Sequence, residues 1–333
     1  MTIRLGAIGV GGMGGGHLNA AASLTDDFAV VAVCDVNTDL VQRAAAAHKA
    51  TPYSDFHELI ARESLDAALI TLPHALYRDA TVAALGRGWH VFKEKPVGRT
   101  LEDARAIRDA ARKAGKCVMI AGQSKYAPAF IEAKKIADSG ALGDVFLATG
   151  LITYRWGGAI ANQWGWRGSH AQSGGVAVID SGWHVLDLMH WYRGMPSRVY
   201  AVTGRMKAAP QSDYDVDDKA VVTMEYLDGG IGQMTVTFVA QPSEKRIVLY
   251  GTDGTLDISD SRVRHWTGNE VQDVALGDPV DTLVGQMRHF AAWIRGDVAP
   301  VSDIERGYAI QRIVNAAYQS ASSGSPVLLR DDV

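Results

Sequence analysis

Two hydrophobic periods alternate along the first 122 residues. Short apolar runs at 3–10 (IRLGAIGV), 28–36 (FAVVAVCDV), 65–73 (LDAALITLP), 89–96 (WHVFKEKP) and 116–123 (KCVMIAGQ) read as strands. Segments 17–24, 38–50, 77–88 and 100–115 read as helices, with Thr38 placed to cap the second and Gly86 or Gly88 to close the third. Strands and helices taken in turn predict a parallel sheet with helices on both faces.

After about residue 123 the pattern changes. A helix near 128–139 leads into a strand at 145–154, and a glycine- and tryptophan-rich loop at 154–175 leads into a helical run at 173–191. Two long segments then fold back at tight turns, 219–240 at Asp228-Gly229-Gly230 and 245–259 at Asp253-Gly254, which predicts antiparallel pairing. Helices near 280–295 and 303–322 finish the chain. The expected organisation is α/β: a doubly wound parallel sheet over 1–122, then an α+β domain with an open, mostly antiparallel sheet over 123–333.

A chain of 333 residues suits two domains. The net charge of −4, with no block of Lys or Arg, provides no general attraction to nucleic acid. No apolar run reaches the ~20 residues needed to span a bilayer, and the apolar start at residues 3–10 dissolves into glycines too early for a signal peptide. Cys34 and Cys117 both sit in apolar segments and read as buried free thiols, which predicts a cytoplasmic protein.

The first chemical signal is GVGGMG. Gly9, Gly11 and Gly14 fit G-x-G-x-x-G between a strand and a helix. The first glycine allows the tight turn, the second lets backbone approach a pyrophosphate, and the third lets helix and strand pack closely. Gly12 and Met13 complete the loop, whose N–H groups face the phosphates. Asp35, about 20 residues on, ends the second strand, where a carboxylate binds ribose hydroxyls and repels a 2′-phosphate. NAD is therefore expected over NADP.

The second signal is the run at 173–191. Read as one α-helix, it puts Asp180, His184 and Asp187 on one face with Val176, Leu188 and Trp191, pointing inward. Either they satisfy one another as a core network, or they do chemistry. The third signal is KEKPVG, where Lys95 ends a parallel strand at the edge that binds ligands.

These pieces, GAIGVGGMG, EKP, GGVAVIDSGWHVLD and YGTDGTL in that order, resemble the GFO/IDH/MocA oxidoreductases over essentially the whole length. The resemblance implies an N-terminal Rossmann domain and a C-terminal domain whose outer sheet face builds a homodimer or homotetramer. It implies Lys95, Asp180 and His184 as the catalytic group, with NAD held by Gly9, Gly11, Gly12, Met13, Gly14, Asp35, Leu72, Pro73, Glu94 and Lys95. Pro96 would form the bend that aims Lys95. Two segments depart from the family's pattern: TLPHALY, with His74 and Tyr77, where Thr-Pro-Asn…His is common, and QSKYAP, with Lys125 and Tyr126, where an Arg is common.

The expected reaction is oxidation of a secondary hydroxyl on a sugar or cyclitol. His184 takes the hydroxyl proton, Lys95 stabilises the developing alkoxide, and Asp180 orients His184 or holds the substrate. Tyr126, Arg155, Trp164, Trp166 and Arg167 are the expected substrate contacts beside Lys95, Asp180 and His184, since indole faces stack on pyranose rings and Arg binds hydroxyls or carboxylates. Asp187 either binds substrate or caps the network. No metal is expected, because Lys95 would bring a cation into the same pocket. The rival readings are a same-fold dehydrogenase of a non-sugar, a glycosidase that oxidises and re-reduces a sugar through bound NAD, and an NAD-binding redox sensor.

Overall fold

The computed structural model describes residues 2–155, 165–206 and 214–329, which divide into two compact units. In the first, β1 (Ile3–Ile8), α1 (Met13–Ser23), β2 (Phe28–Cys34), α2 (Thr38–His48), β3 (Thr51–Tyr53), α3 (Phe56–Arg62), β4 (Ala67–Ile70), α4 (Tyr77–Gly86), β5 (His90–Lys93), α5 (Leu101–Ala114) and β6 (Val118–Ile120) follow in turn. The six strands pair in the order β3-β2-β1-β4-β5-β6, all parallel. The predicted strands are all present. β3 and α3 are additions, too short to leave a hydrophobic period. The cap of α2 is Asn37, not Thr38: the Asn37 side chain accepts from Leu40 N–H at 3.0 Å, and Thr38 is already helical.

The second unit opens with α6 (Pro128–Asp138) and β7 (Val145–Arg155). A four-residue helix α7 (His170–Ser173) precedes a π-helix over Ala177–Gly182, which runs into α8 (Trp183–Arg193). The strands β8 (Arg198–Gly204), β9 (Lys219–Glu225), β10 (Ile231–Thr237), β11 (Val239–Gly251), β12 (Thr255–Ser259), β13 (Val263–Thr267), β14 (Glu270–Asp273) and β15 (Val327–Leu328) join β7 in one sheet, order β14-β13-β12-β11-β7-β10-β9-β8-β15. Only the β7–β10 pair is parallel among these described strands. Both predicted hairpins form, β9–β10 and β11–β12.

Burial alternates along β8 and β9. On the inner face, Gly150 of β7 lies opposite Met234 and Ile247. A Cβ on Gly150 would fall 2.3 Å from Val185 Cγ1 and 3.0 Å from Met189 Sδ, so the missing side chain is what lets α8 lie close on the sheet.

The single boundary expected at residue 122 is replaced by a chain that returns. Residues 281–308 pack with the first unit, and the second unit is Ser124–Val280 with Ala309–Val333. Asp281 caps α9 (Thr282–Arg295) by accepting from Leu283 and Val284 N–H. Gln286 Oε1 accepts from Gly122 N–H at 2.9 Å, and Phe290 meets Phe92 edge-on with ring centroids 5.7 Å apart. A further helix, α10 (Ile304–Ser323), starts in the first unit and ends in the second. No helix among the described residues is long and apolar enough to cross a membrane.

If α9 is part of the first unit's core, Phe290→Ala should destabilise it by about 3–5 kcal/mol, the usual cost of emptying a buried phenylalanine site. Chemical unfolding followed by tryptophan fluorescence checks this, and a midpoint near wild type would count against the assignment.

Candidate active site

The carboxyl edge of the parallel sheet is built around the turn from β1 into α1. Gly9 has φ +87°, and a Cβ there would lie 2.1 Å from the Thr71 carbonyl oxygen. A Cβ on Gly14 would lie 2.2 Å from the Gly9 carbonyl oxygen and 2.3 Å from Thr71 Oγ1. Both glycines are therefore required by the protein's own packing against the end of β4. Gly11 differs. Among the described residues its Cβ would meet only Leu40 Cδ1, at 3.8 Å, so none of them excludes a side chain there. Close approach of a ligand to the backbone accounts for it. No side chain caps α1 at Gly12 and its first turn has no acid, which leaves its N-terminal end suited to phosphate. The residues present thus fit a dinucleotide.

Asp35 stands directly after β2. Its carboxylate accepts from Val10 N–H at 3.0 Å and Asn37 N–H at 2.9 Å, which holds a negative charge beside the glycine turn. Cys34, next to it, is a free buried thiol pushed up to about 12, first by burial and then by Asp35. Leu72 and Pro73 follow Thr71 past β4 and are half-buried.

Two residues past β5, on the same edge, stands Lys95, half-buried, with a cis Lys95–Pro96 bond. Glu94 is buried between two groups: Oε1 lies 2.9 Å from His17 Nε2, and Oε2 accepts from Lys95 N–H at 3.0 Å. His17 is fully buried on α1, and its Nδ1 has no hydrogen-bond partner among the described residues. Facing a carboxylate, which accepts, Nε2 is the nitrogen placed to donate to Glu94. The helix that starts at the glycine loop is thereby tied to the Lys95 segment. Lys93, also fully buried, donates to the carbonyls of Glu94 at 2.7 Å and Pro96 at 2.6 Å.

The second unit presents the π-helix and α8. The helical phase expected from residue 173 applies only from Trp183 onward, because the i→i+5 turns before it are wider. Asp180 is buried and accepts from Arg167 Nε at 2.9 Å, and the Arg167 guanidinium lies 4.4 Å from the Trp166 ring. Asp187 is buried and pairs with buried Lys125 at 2.5 Å. His184 is half-buried. The two carboxylates are thus each held by a cation from another element. Asp187, left open between substrate and network, has a structural partner. Tyr126 and Tyr154 are held above the ordinary phenol range, chiefly by burial, and the Tyr154 hydroxyl meets that of Ser181.

The start of the π-helix has its own anchor. Asp217 accepts from Val176 N–H at 2.8 Å, from Val178 N–H at 3.3 Å and from the Tyr318 hydroxyl, while that hydroxyl accepts from Ile179 N–H. Burial pushes the Asp217 carboxyl above its usual range against these bonds. Arg155 ends β7 and is exposed. Trp164 lies outside the described residues. His17, Lys93, Asp217 and Tyr318 were not singled out from sequence. A histidine three places after the third glycine and a lysine inside an apolar strand were the available signals.

Residues 3–122 match the model of an oxidoreductase family with an NAD-binding Rossmann fold, and residues 130–257 match the model of a GFO/IDH/MocA C-terminal domain. The chain is 26% identical over 322 residues to D-glucoside 3-dehydrogenase of Escherichia coli K12, covering 91% of each. It is 29% identical over 201 residues to inositol 2-dehydrogenase of Salmonella typhimurium, covering 57% of this chain and 54% of that protein. Among solved structures, the WlbA dehydrogenase from Bordetella pertussis in complex with NADH and UDP-GlcNAcA superposes with a TM-score of 0.87 at 25% identity, covering 100% of both chains.

The glycines should separate by role. Gly14→Ala is expected to lower stability by about 1–3 kcal/mol through overpacking. Gly11→Ala should unfold like the parent yet bind NAD about tenfold more weakly or worse, a loss of about 1.4 kcal/mol. Calorimetric titration with NAD beside thermal melts decides, and equal NAD affinity in Gly11→Ala would remove the pyrophosphate from this loop.

Proposed function

The chain belongs to the GFO/IDH/MocA oxidoreductase family, and from that premise we propose that it oxidises a secondary hydroxyl of a sugar or cyclitol, with NAD as the acceptor. The observation that carries the reading is the buried His17–Glu94 contact, which ties Lys95 to the helix of the glycine turn on one sheet edge. The relatives' named substrates, a glucoside and inositol, are ring alcohols, and Trp166 beside Arg167 offers the aromatic and donor surface such a ring needs.

Lys95 donates to the substrate oxygen and stabilises the alkoxide as it forms. His184 takes the hydroxyl proton, a role suited to imidazole's ordinary pKa near 6.5. Asp180, fixed by Arg167, orients His184 or holds the substrate. NAD, held at the glycine turn and Asp35, would supply a hydride acceptor for the carbinol carbon. The alcohol thus loses one proton and one hydride and leaves as a ketone or lactone, with NADH and a proton as the other products.

NAD is preferred over NADP, a reading supported by the Asp35 carboxylate, which the Val10 and Asn37 N–H groups hold beside the glycine turn and which would repel a 2′-phosphate. The protein works in the cytoplasm, a reading supported by its two free thiols. It assembles as a homodimer or homotetramer through the outer face of the second sheet, where Tyr200, Val202, Val221 and Ile231 are exposed.

NADH formation across a panel of cyclitols and neutral and acidic sugars tests the activity. Release of free sugar without net NADH would favour the glycosidase. With the best substrate, Lys95→Met should lower kcat by about 10²–10³ and His184→Ala by about 10²–10⁴. Normal turnover in both refutes the assignment, and loss of NAD binding alone makes Lys95 a cofactor residue. Separately, Asp35→Ser should raise the NADP-to-NAD ratio of kcat/KM by about tenfold, equivalent to about 1.4 kcal/mol of relieved repulsion. An unchanged ratio would mean Asp35 does not read the ribose.

A further inference from the structure

β5 lies between β4 and β6, and a strand in that position is lined by apolar side chains on both faces. Its last residue breaks the pattern. Lys93 has no exposed surface, and burial holds its amine well below the usual lysine range, with the Glu94 charge opposing. A leucine or methionine would fill the same space without the desolvation cost. Something in the local geometry must explain a lysine.

The explanation lies in the backbone that Lys93 touches. Its Nζ donates to the Glu94 carbonyl and to the Pro96 carbonyl, one on either side of Lys95. An amine or an ammonium can make both bonds. The same Nζ rests 3.7 Å from the centroid of the Tyr77 ring, and the Tyr77 hydroxyl donates to the Lys95 carbonyl at 3.4 Å. The remaining backbone group of Lys95, its N–H, donates to the Glu94 carboxylate, which His17 holds from behind. Side chains from α4 and β5 therefore meet three successive carbonyls at 94, 95 and 96, and Glu94, backed by His17 of α1, meets the Lys95 N–H.

We propose that Lys93, seated on Tyr77, is a positioning residue that holds the peptide carrying Lys95 so that its ammonium meets the reacting oxygen. This rests on the assignment of Lys95 to that oxygen. The Lys93 side chain acts through Lys95 and does not itself touch substrate or NAD.

The test uses full-length Lys93→Met, Lys95→Met and the double variant. Hydrogen exchange over residues 93–98 is measured without substrate. Unfolding, NAD affinity and kcat with the best alcohol of the panel are measured alongside. Lys93→Met is expected to stay folded, the lost donor to the Glu94 and Pro96 carbonyls being set against the relieved burial of an amine, and to bind NAD within a factor of about two. Its Lys95 amide should exchange faster, and kcat should fall by about 10–100-fold, the scale for misplacing a reacting group by about 1 Å. In the Lys95→Met background the same change should cost nothing further.

Unchanged exchange with unchanged kcat overturns the proposal. So does a loss that persists in full without Lys95, since Lys93 would then act elsewhere. Undiminished turnover in Lys95→Met sinks the catalytic reading instead, and the exchange arm still decides whether the clamp exists. If Lys93→Met does not fold, Tyr77→Phe, which keeps the ring and removes only the hydroxyl bond to the Lys95 carbonyl, carries the same two readouts.

Discussion

The turn from β1 into α1 has no room for a side chain at Gly9 or Gly14, and the carboxyl edge of the first unit follows from that crowding. A Cβ at either position would overlap the backbone of the turn or of Thr71. Helix α1 is consequently drawn down against the end of β4, and its first full turn brings His17 into the core beside Phe92. His17 then reaches Glu94, and Glu94 reaches the Lys95 N–H. A steric requirement at two glycines is thus converted, within a few side chains, into the placement of a lysine.

The second unit shows a related economy. The absence of a side chain at Gly150 sets how closely α8 can lie on its sheet. The π-helix before it, whose early N–H groups would otherwise lack partners, is met by Asp217 and Tyr318. Three buried carboxylates are matched, each within its own unit: Glu94 with His17, Asp180 with Arg167, Asp187 with Lys125. Unpaired burial would cost several kcal/mol each, a cost these pairings avoid.

Features that depend on neighbours along the chain could be read before any fold was known. The parallel sheet, the two hairpins and the glycine turn were legible because each is encoded within a few residues, as strand period, turn dipeptide or G-x-G-x-x-G. Lys95, Asp180 and His184 could be named for the same reason, since their motifs are short. The rest was fixed by packing between elements. The return of residues 281–308 to the first unit, the ion pairs that hold the two carboxylates, and the Lys93–Tyr77 seat all join residues from different elements. The π-helix displaced the helical phase because anchors at Asp217 and Tyr318, far along the chain, stabilise its opening turn. Periodicity records which face of an element is apolar. It holds no record of which distant side chain will satisfy a buried charge, and that choice is made only when the elements pack.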